Sequence, residues 1–506
     1  YYKQMMPGIT LKEVNDVAAP LKQNDKIFVS LQGPESSNYQ LPDNAGLLAL
    51  AQNAMKADVK PYAEKAVAST LMKTKPQPGS IVKEQKNEQL GTTEITFANG
   101  AKAILKPTDF KDDEIVMTAF HKGGTSKYPA EDKFSANYAS TIAQTMGIGD
   151  FSPVDLQKYM AGKVAAVMPR VSGLSAGFSG NSSVKDAETM LQMLNLYFTA
   201  PRKDEALFNA WKEKQQSSMQ FAMSDPQTVF IDSFYNVVYQ KNPLAPVVIP
   251  TPDDFNKINL DRSIAIFKEQ FADANDFNFI FVGNIDIEKM KPLLATYIGS
   301  LPSQGKPAAF ADNGVRPVKG NVDLTVKKGT EPKALIIGFY SGEIAYTDEL
   351  AFKAKALTEI LNIKIIEDLR EKMGAIYGGG IFGGLNKYPY SNYSLFLQLP
   401  CGPQNVDTLL KAAAAEIEKV KANGPEQVDL DKVKKTWIEQ YKVQIKENSY
   451  WSGKLQGIYF QGDSAAEIFN YEEKVNALTT DDIKATANKL FDNKNVVKAV
   501  LLPENQ

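Results

Sequence analysis

The chain has 506 residues, 57 Lys+Arg against 59 Asp+Glu, a formal net charge of −2 and 43% apolar residues. That length and apolar content suit more than one domain, and the charge balance leaves no basic excess for nucleic acid or anionic lipid. One cysteine, Cys401, and one histidine, His121, exclude an intrachain disulfide framework, a Cys-rich zinc site and a two-histidine zinc site. No apolar run reaches the roughly 18 residues of a membrane helix. Tyr1 to Met6 lack the charged and apolar regions of a leader, and a start at Tyr1 leads us to expect a chain that begins inside a longer product.

In chain order, residues 9–35 open on Thr10 with Glu13 at capping-box spacing, then an amphipathic helix, an Asn/Asp-rich turn and the β-rich run Ile27-Phe28-Val29. Residues 37–90 read as a linker with one helix, Ala45 to Met55, and an extended Pro/Gly/Lys run from Lys73 to Ser80. From 91, strands Thr93–Phe97 and Ala101–Leu105 flank Asn99-Gly100 as a hairpin. A strand at Glu114–Phe120, helices near 131–146 and 153–161, and strands at Lys163–Val171 and Ser175–Ser179 follow. Helices near 185–199 and 203–222 lead to residues 258–286, which repeat the helix, polar turn and strand of 9–35. From 306 a similar order runs through strands Val322–Val326 and Ala334–Tyr340 and a long apolar stripe, Leu350 to Leu369, stopped by Gly374. Strand Tyr393–Leu399, helices near 404–423 and 428–446, and a third copy of the repeat at 478–504 close the chain. The expectation is an α+β protein. Residues 1–36 are the last helix and strand of a preceding domain, 37–90 a linker, and 91–305 and 306–506 two similar domains. Each of these has a mixed or antiparallel sheet with helices mainly on one face.

Several motifs fail their structural context. Gly378 to Gly383 matches G-x-G-x-x-G but opens no helix, so it reads as a glycine-lined strand that another backbone can approach. Gly173-Leu174-Ser175-Ala176-Gly177 matches a nucleophile elbow, but no histidine follows it and its setting is strand–turn–strand. His121 and Cys401 each lack a partner in the sequence, and Asp112-Asp113-Glu114 reads as solvated surface. Arg370 and Tyr377 are different. On residue type alone they describe a surface cation and a core ring, yet a fixed guanidinium beside a phenol can also hold a peptide carbonyl as it becomes an oxyanion.

The segment Leu369-Arg370-Glu371-Lys372-Met373-Gly374-Ala375-Ile376-Tyr377 resembles the Arg/Tyr signature in the non-catalytic half of pitrilysin/insulinase-type (M16) zinc peptidases. The run Gly177 to Asp204 is similar to the bacterial single-chain "zinc protease" subgroup of that family. The resemblance implies the M16 fold, with this chain as the C-terminal half, domains three and four of four. It implies that Arg370 and Tyr377 bind substrate and stabilise the oxyanion, that zinc belongs to the catalytic half, and that the partners are that half and a peptide or unfolded polypeptide. The segment comparable to the family's H-x-x-E-H helix is Ala136 to Gly147, which has no His and no Glu. We therefore expect no catalytic residue, no metal ligand and no hydrolysis from this chain alone. A periplasmic or envelope location is implied by the family only. Two other readings stay open: a stand-alone non-catalytic subunit of an M16 heterodimer, and a structural M16-derived protein.

Overall fold

The computed structural model describes residues 2–22, 27–32, 40–58, 60, 68–376 and 378–505. They fall into two compact units, residues 1–66 and 67–506. The first unit holds α1 (Tyr2–Met5), α2 (Leu11–Ala18) and α3 (Asn44–Lys56). The expected capping box forms at α2, with the Glu13 carboxylate accepting from the Thr10 amide at 2.7 Å. Leu11, Val14 and Val17 of that helix are exposed. The strand expected at Ile27–Val29 is not formed. Residues 27–32 have no regular structure and Phe28 is 91% exposed. A β-rich composition makes a strand only where a neighbouring strand takes its backbone hydrogen bonds, and no described strand pairs with this run.

The second unit is built on two sheets. The first lobe runs β1 (Ile81–Asn87), β2 (Thr92–Phe97), β3 (Lys102–Pro107), β4 (Ile115–Lys122), α4 (Lys133–Thr145), α5 (Pro153–Tyr159), β5 (Ala165–Val171), β6 (Ser175–Ser182), α6 (Ala187–Thr199), α7 (Glu205–Ala222), α8 (Pro226–Val238), α9 (Leu260–Phe271), β7 (Asn278–Gly283) and α10 (Ile287–Tyr297). Its sheet has the order β1-β2-β3-β7-β4-β6-β5. The second lobe runs β8 (Asn321–Lys327), β9 (Ala334–Glu343), α11 (Asp348–Lys364) continued as a π-helix over Ile365–Lys372, β10 (Gly380–Asn386), β11 (Asn392–Cys401), α12 (Val406–Asn423), α13 (Gln427–Gln444), α14 (Asn448–Gln461), α15 (Ala466–Phe469), α16 (Tyr471–Ala477), α17 (Thr480–Leu490) and β12 (Val496–Leu502). Its sheet has the order β10-β11-β9-β12-β8.

The two sheets repeat one topology. In each, a parallel pair (β3 with β7, β8 with β12) is extended by three antiparallel strands in the same sequence of returns. The helix–strand units read at 258–286 and 478–504 are α9–β7 and α17–β12, and each places its strand between that pair's partner and the next antiparallel strand. The first sheet also carries β1, which begins before the expected start at 91. Every residue of β1 is exposed, and its polar sequence IVKEQKN has no buried face to give it away. The run before it packs on the first lobe as well. Leu71 is buried in that core, and the Gly79 amide donates to the Ala295 carbonyl at 2.9 Å.

The faces of the sheets explain how the lobes hold together. Ala103, Leu105, Met117, Phe279 and Phe281 turn one face of the first sheet toward residues of α4, α6, α9 and α10. Ile104, Phe120, Ile280 and Val282 turn the other face toward Trp451 and Leu455 of α14, a helix of the second lobe. In return, Leu335, Ile337, Phe339, Val497 and Leu501 of the second sheet pack on Phe230, Phe234 and Val238 of α8, a helix of the first lobe. Polar contacts pin α14 in place. The Thr118 and Ser452 hydroxyls lie 2.8 Å apart, Asn448 Nδ2 donates to Glu114 Oε2 at 2.8 Å, and Lys106 Nζ sits 3.8 Å over the Trp451 ring. Glu114, read from the sequence as solvated surface, is thus one of the groups that seat this helix.

Removing one exchanged ring should therefore damage the opposite lobe. Phe234→Ala is expected to lower stability by about 3–5 kcal/mol. Amide exchange by mass spectrometry should quicken first in β9 and β12, not in the strands of the first sheet.

Candidate functional site

The site is built from the end of α11 into the edge of the second sheet. Thr347 caps α11, its hydroxyl accepting from the Leu350 amide at 3.1 Å, and the apolar stripe buries Leu357, Leu361, Ile365 and Leu369. The last two turns widen into a π-helix, a geometry that often marks functional sites. Gly374, at φ +61°, then reverses the chain, with its amide bonded to the Arg370 carbonyl at 3.1 Å. Ile376 bridges to Cys401 at the end of β11, and β10 begins four residues later.

Charges around the π-helix are paired. Lys364 Nζ lies 2.7 Å from Asp429 Oδ2, and Lys432 Nζ lies 3.1 Å from both Glu367 and Asp429. Burial disfavours the Asp429 charge, but the two lysines outweigh it and hold that carboxyl below the usual carboxylate range. Lys372 pairs with Asp368. Arg370 and its neighbour Glu371 are not paired with a described residue. The Arg370 side chain is exposed and makes no hydrogen bond or ion pair to a described residue. Tyr377, its expected companion, lies outside the described residues.

Among the described residues β10 is the edge of its sheet and pairs with β11 alone. The G-x-G-x-x-G run is thus a glycine-lined strand, as its context implied. Asn362 of α11 was not singled out by the sequence, yet its side chain clamps this strand. Its Nδ2 donates to the Ile381 carbonyl at 3.0 Å and its Oδ1 accepts from the Ile381 amide at 2.6 Å. Those groups of Ile381 therefore point away from β11. By the two-residue period, the backbone groups of Gly383 and Leu385 point to the same outer side. Phe382 and Gly383 are exposed. The strand is anchored at its start and open beyond it.

The other candidates are accounted for by packing. His121, the penultimate residue of β4, stacks on Phe277 with ring centroids 4.3 Å apart, and its buried Nε2 has no hydrogen-bond partner among the described residues. Burial pushes its pKa down to about 4. In the β4–β6 register His121 faces Ala176 while Ser175 faces Lys122, so the pleat puts Ser175 and His121 on opposite faces. The Ser175 hydroxyl instead meets that of Ser172 at 2.9 Å in a strand–turn–strand hairpin. Cys401 is buried, which pushes its thiol up to about 11 and keeps it protonated. The segment Ala136 to Gly147 lies in and just after α4, which buries Ser135, Ala136, Ala139, Ser140, Ile142 and Ala143. Among the described residues no group of three or more His, Cys, Asp or Glu side chains is placed to hold a metal ion. Residues 136–147 include no His, Cys, Asp or Glu, so this segment does not fit zinc.

The comparisons with known proteins bear on the same segment. Residues 257–436, which span α9 to α13 and include Arg370 and Asn362, match the family described as "Peptidase M16 inactive domain". That segment thus resembles an M16 inactive domain. The chain is 23% identical over 495 residues to "Zinc protease PQQL-like" of Arabidopsis thaliana, covering 93% of this chain and 48% of that protein. It is 22% identical to "Probable zinc protease PqqL" of Escherichia coli K12, covering 99% of this chain and 54% of that protein. The crystal structure of the periplasmic protease PqqL from Escherichia coli shares the fold, with a TM-score of 0.76 at 19% identity over 91% of this chain and 51% of that one. The chain thus spans about half the length of these relatives. It resembles the non-catalytic half of M16 zinc proteases, and no described helix is long and apolar enough to cross a membrane.

Two measurements check this geometry. Asn362→Ala strips both partners from the buried Ile381 backbone. It should cost about 1–3 kcal/mol and expose the Ile381 amide to exchange. For His121, an unfolded chain takes up a proton near pH 6.5, whereas the native ring resists until about pH 4. This group's contribution to stability is therefore complete above pH 6.5 and is lost as the pH falls from about 6.5 to about 4. Urea midpoints of His121→Phe should lack that part of the wild-type decline.

Proposed function

We propose that this chain is the non-catalytic half of a zinc metalloendopeptidase. It closes over a catalytic M16 half, in the same polypeptide or an associated subunit, and holds an extended peptide substrate. The observation that carries the reading is Arg370: exposed and without an ion pair to a described residue, on the π-helix that leads into an open edge strand. An edge with free backbone groups takes a peptide by strand addition, which recognises the main chain whatever its sequence. A guanidinium held near such a peptide stabilises a carbonyl oxygen as negative charge develops on it. Tyr377, seven residues on, supplies the second polar group in this reading.

The metal chemistry belongs to the partner half, since α4 offers no ligand at the comparable position. The E. coli PqqL structure is described as that of a periplasmic protease, and we place this protein in the same kind of compartment, the bacterial periplasm or envelope. We also assign residues 1–36 to the end of a preceding domain. The exposed Leu11, Val14 and Val17 of α2 form the kind of apolar face that α9 and α17 bury against their sheets.

The test is reconstitution. The chain alone should cleave no peptide, and mixing it with a separately folded catalytic half should raise cleavage once association is shown by size-exclusion chromatography. Arg370→Ala should lower kcat/KM of the mixture by about 10²–10³, the loss typical of one oxyanion donor, with partial recovery in Arg370→Lys. Proven association with no gain in cleavage refutes the shared site.

A further inference from the structure

The face of the second sheet that receives α8 continues past that helix into a cavity of about 580 Å³. Its walls include Tyr235 and Tyr239 of α8, Phe339 of β9, Phe396 of β11 and Tyr388 in the β10–β11 loop. The Tyr235, Tyr239 and Tyr388 hydroxyls make no hydrogen bond to a described residue. Aromatic walls with free polar tips suit a large flat side chain with a wet end. Among the described residues no carboxylate lines the cavity, and the one charged lining residue is Lys133, at the start of α4. Lys133 has no ion pair with a described residue. The carboxylate it feels most, Asp254, is already paired with Lys257 at 2.8 Å. Partial burial without a partner lowers its pKa, which an incoming anion would reverse.

The cavity reaches Asn386, the last residue of β10. Phe382, Gly384 and Asn386 pair with Phe396, Ser394 and Asn392, so these six residues share one face of the sheet. Asn386, Asn392, Ser394 and Phe396 also line the cavity. At Gly384, between them, the space where a side chain would stand is empty. A strand added to β10 would send every second side chain onto this face, beside that gap.

We propose that the cavity is a specificity pocket. It takes a large aromatic side chain of an extended peptide lying on β10, and Lys133 meets an acidic side chain two positions along the same peptide. The inference rests on the peptide-holding reading above and adds the class of peptide preferred. Two positions is the spacing at which strand side chains share a face, and a lysine without a partner gives a carboxylate a charge-assisted hydrogen bond.

The experiment is fluorescence anisotropy on the full chain with labelled nine-residue peptides. The central sequence is Phe-Ala-Glu, compared with Ala-Ala-Glu and Phe-Ala-Gln. Losing the ring should weaken binding about tenfold or more, and losing the acid about two- to fivefold. Ala311→Trp, at the cavity wall, should erase the preference for Phe, and Lys133→Gln should erase the preference for Glu. Both variants should bind the Ala-Ala-Glu and Phe-Ala-Gln peptides, respectively, no worse than the wild type does. Should Ala311→Trp fail to fold, as judged by its melting curve, Tyr239→Ala tests the same wall and should also lose the preference for Phe. Peptides bound with no preference for Phe over Ala overturn the pocket and leave the peptide-holding reading intact. No binding of any peptide overturns both.

Discussion

Each sheet in this protein has two apolar faces and only one layer of its own helices. That constraint organises residues 67–506. A strand such as β3 alternates Ala103 and Leu105 on one side with Ile104 on the other, so a bare second face would leave a row of branched side chains in water. The chain solves this by exchange. It sends α8 to the second sheet and α14 to the first, and the buried rings of Phe234 and Trp451 make each lobe a part of the other's core. Neither half of the repeat can bury both faces of its own sheet. This is the physical reason the two similar lobes behave as one compact unit.

The candidate site depends on that arrangement. With α8 and its own helices covering the second sheet, β11, β9 and β12 are held on both faces, and β10 is presented as an edge on a rigid platform. Asn362 pins the strand at Ile381 and leaves Gly383 and Leu385 outward. The paired charges around Lys364, Glu367 and Asp429 fix the π-helix from below. Beside these paired groups the guanidinium of Arg370 is exposed and has no ion pair to a described residue, so it is available to a bound chain. The cavity beside α8 exists for the same structural reason. One helix is narrower than the sheet it covers, and the uncovered margin lies toward β10.

Much of this was legible in the residues. Capping at Thr10, the Asn99-Gly100 hairpin, the helix stripes and the repeated helix–strand endings are local signals, and the second and third endings sit at matching places in the two sheets. The glycine run at 378–383 was readable as a strand because nothing after it could open a helix. Elsewhere local signals failed for identifiable reasons. β1 was hidden because Lys and Glu on both faces leave no alternation to detect. Ile27–Val29 had strand composition without a strand neighbour. Asn362 looked like one more polar residue on a long helix, and nothing in the chain marks it as the clamp of a segment nineteen positions later.

By itself, then, the amino-acid order determined many of the elements, their succession and the poverty of metal ligands, though not the two exchanged helices α8 and α14: a chain with one histidine and one cysteine offers few such ligands. Those properties follow from residue type and short-range periodicity. Only the tertiary structure decided which helix covers which face, which strand is left as an edge, which cation goes unpaired and where an aromatic cavity opens. These depend on contacts between distant positions, such as those 334 residues apart that seat α14, and a periodic pattern records that a face is apolar without recording what will lie against it.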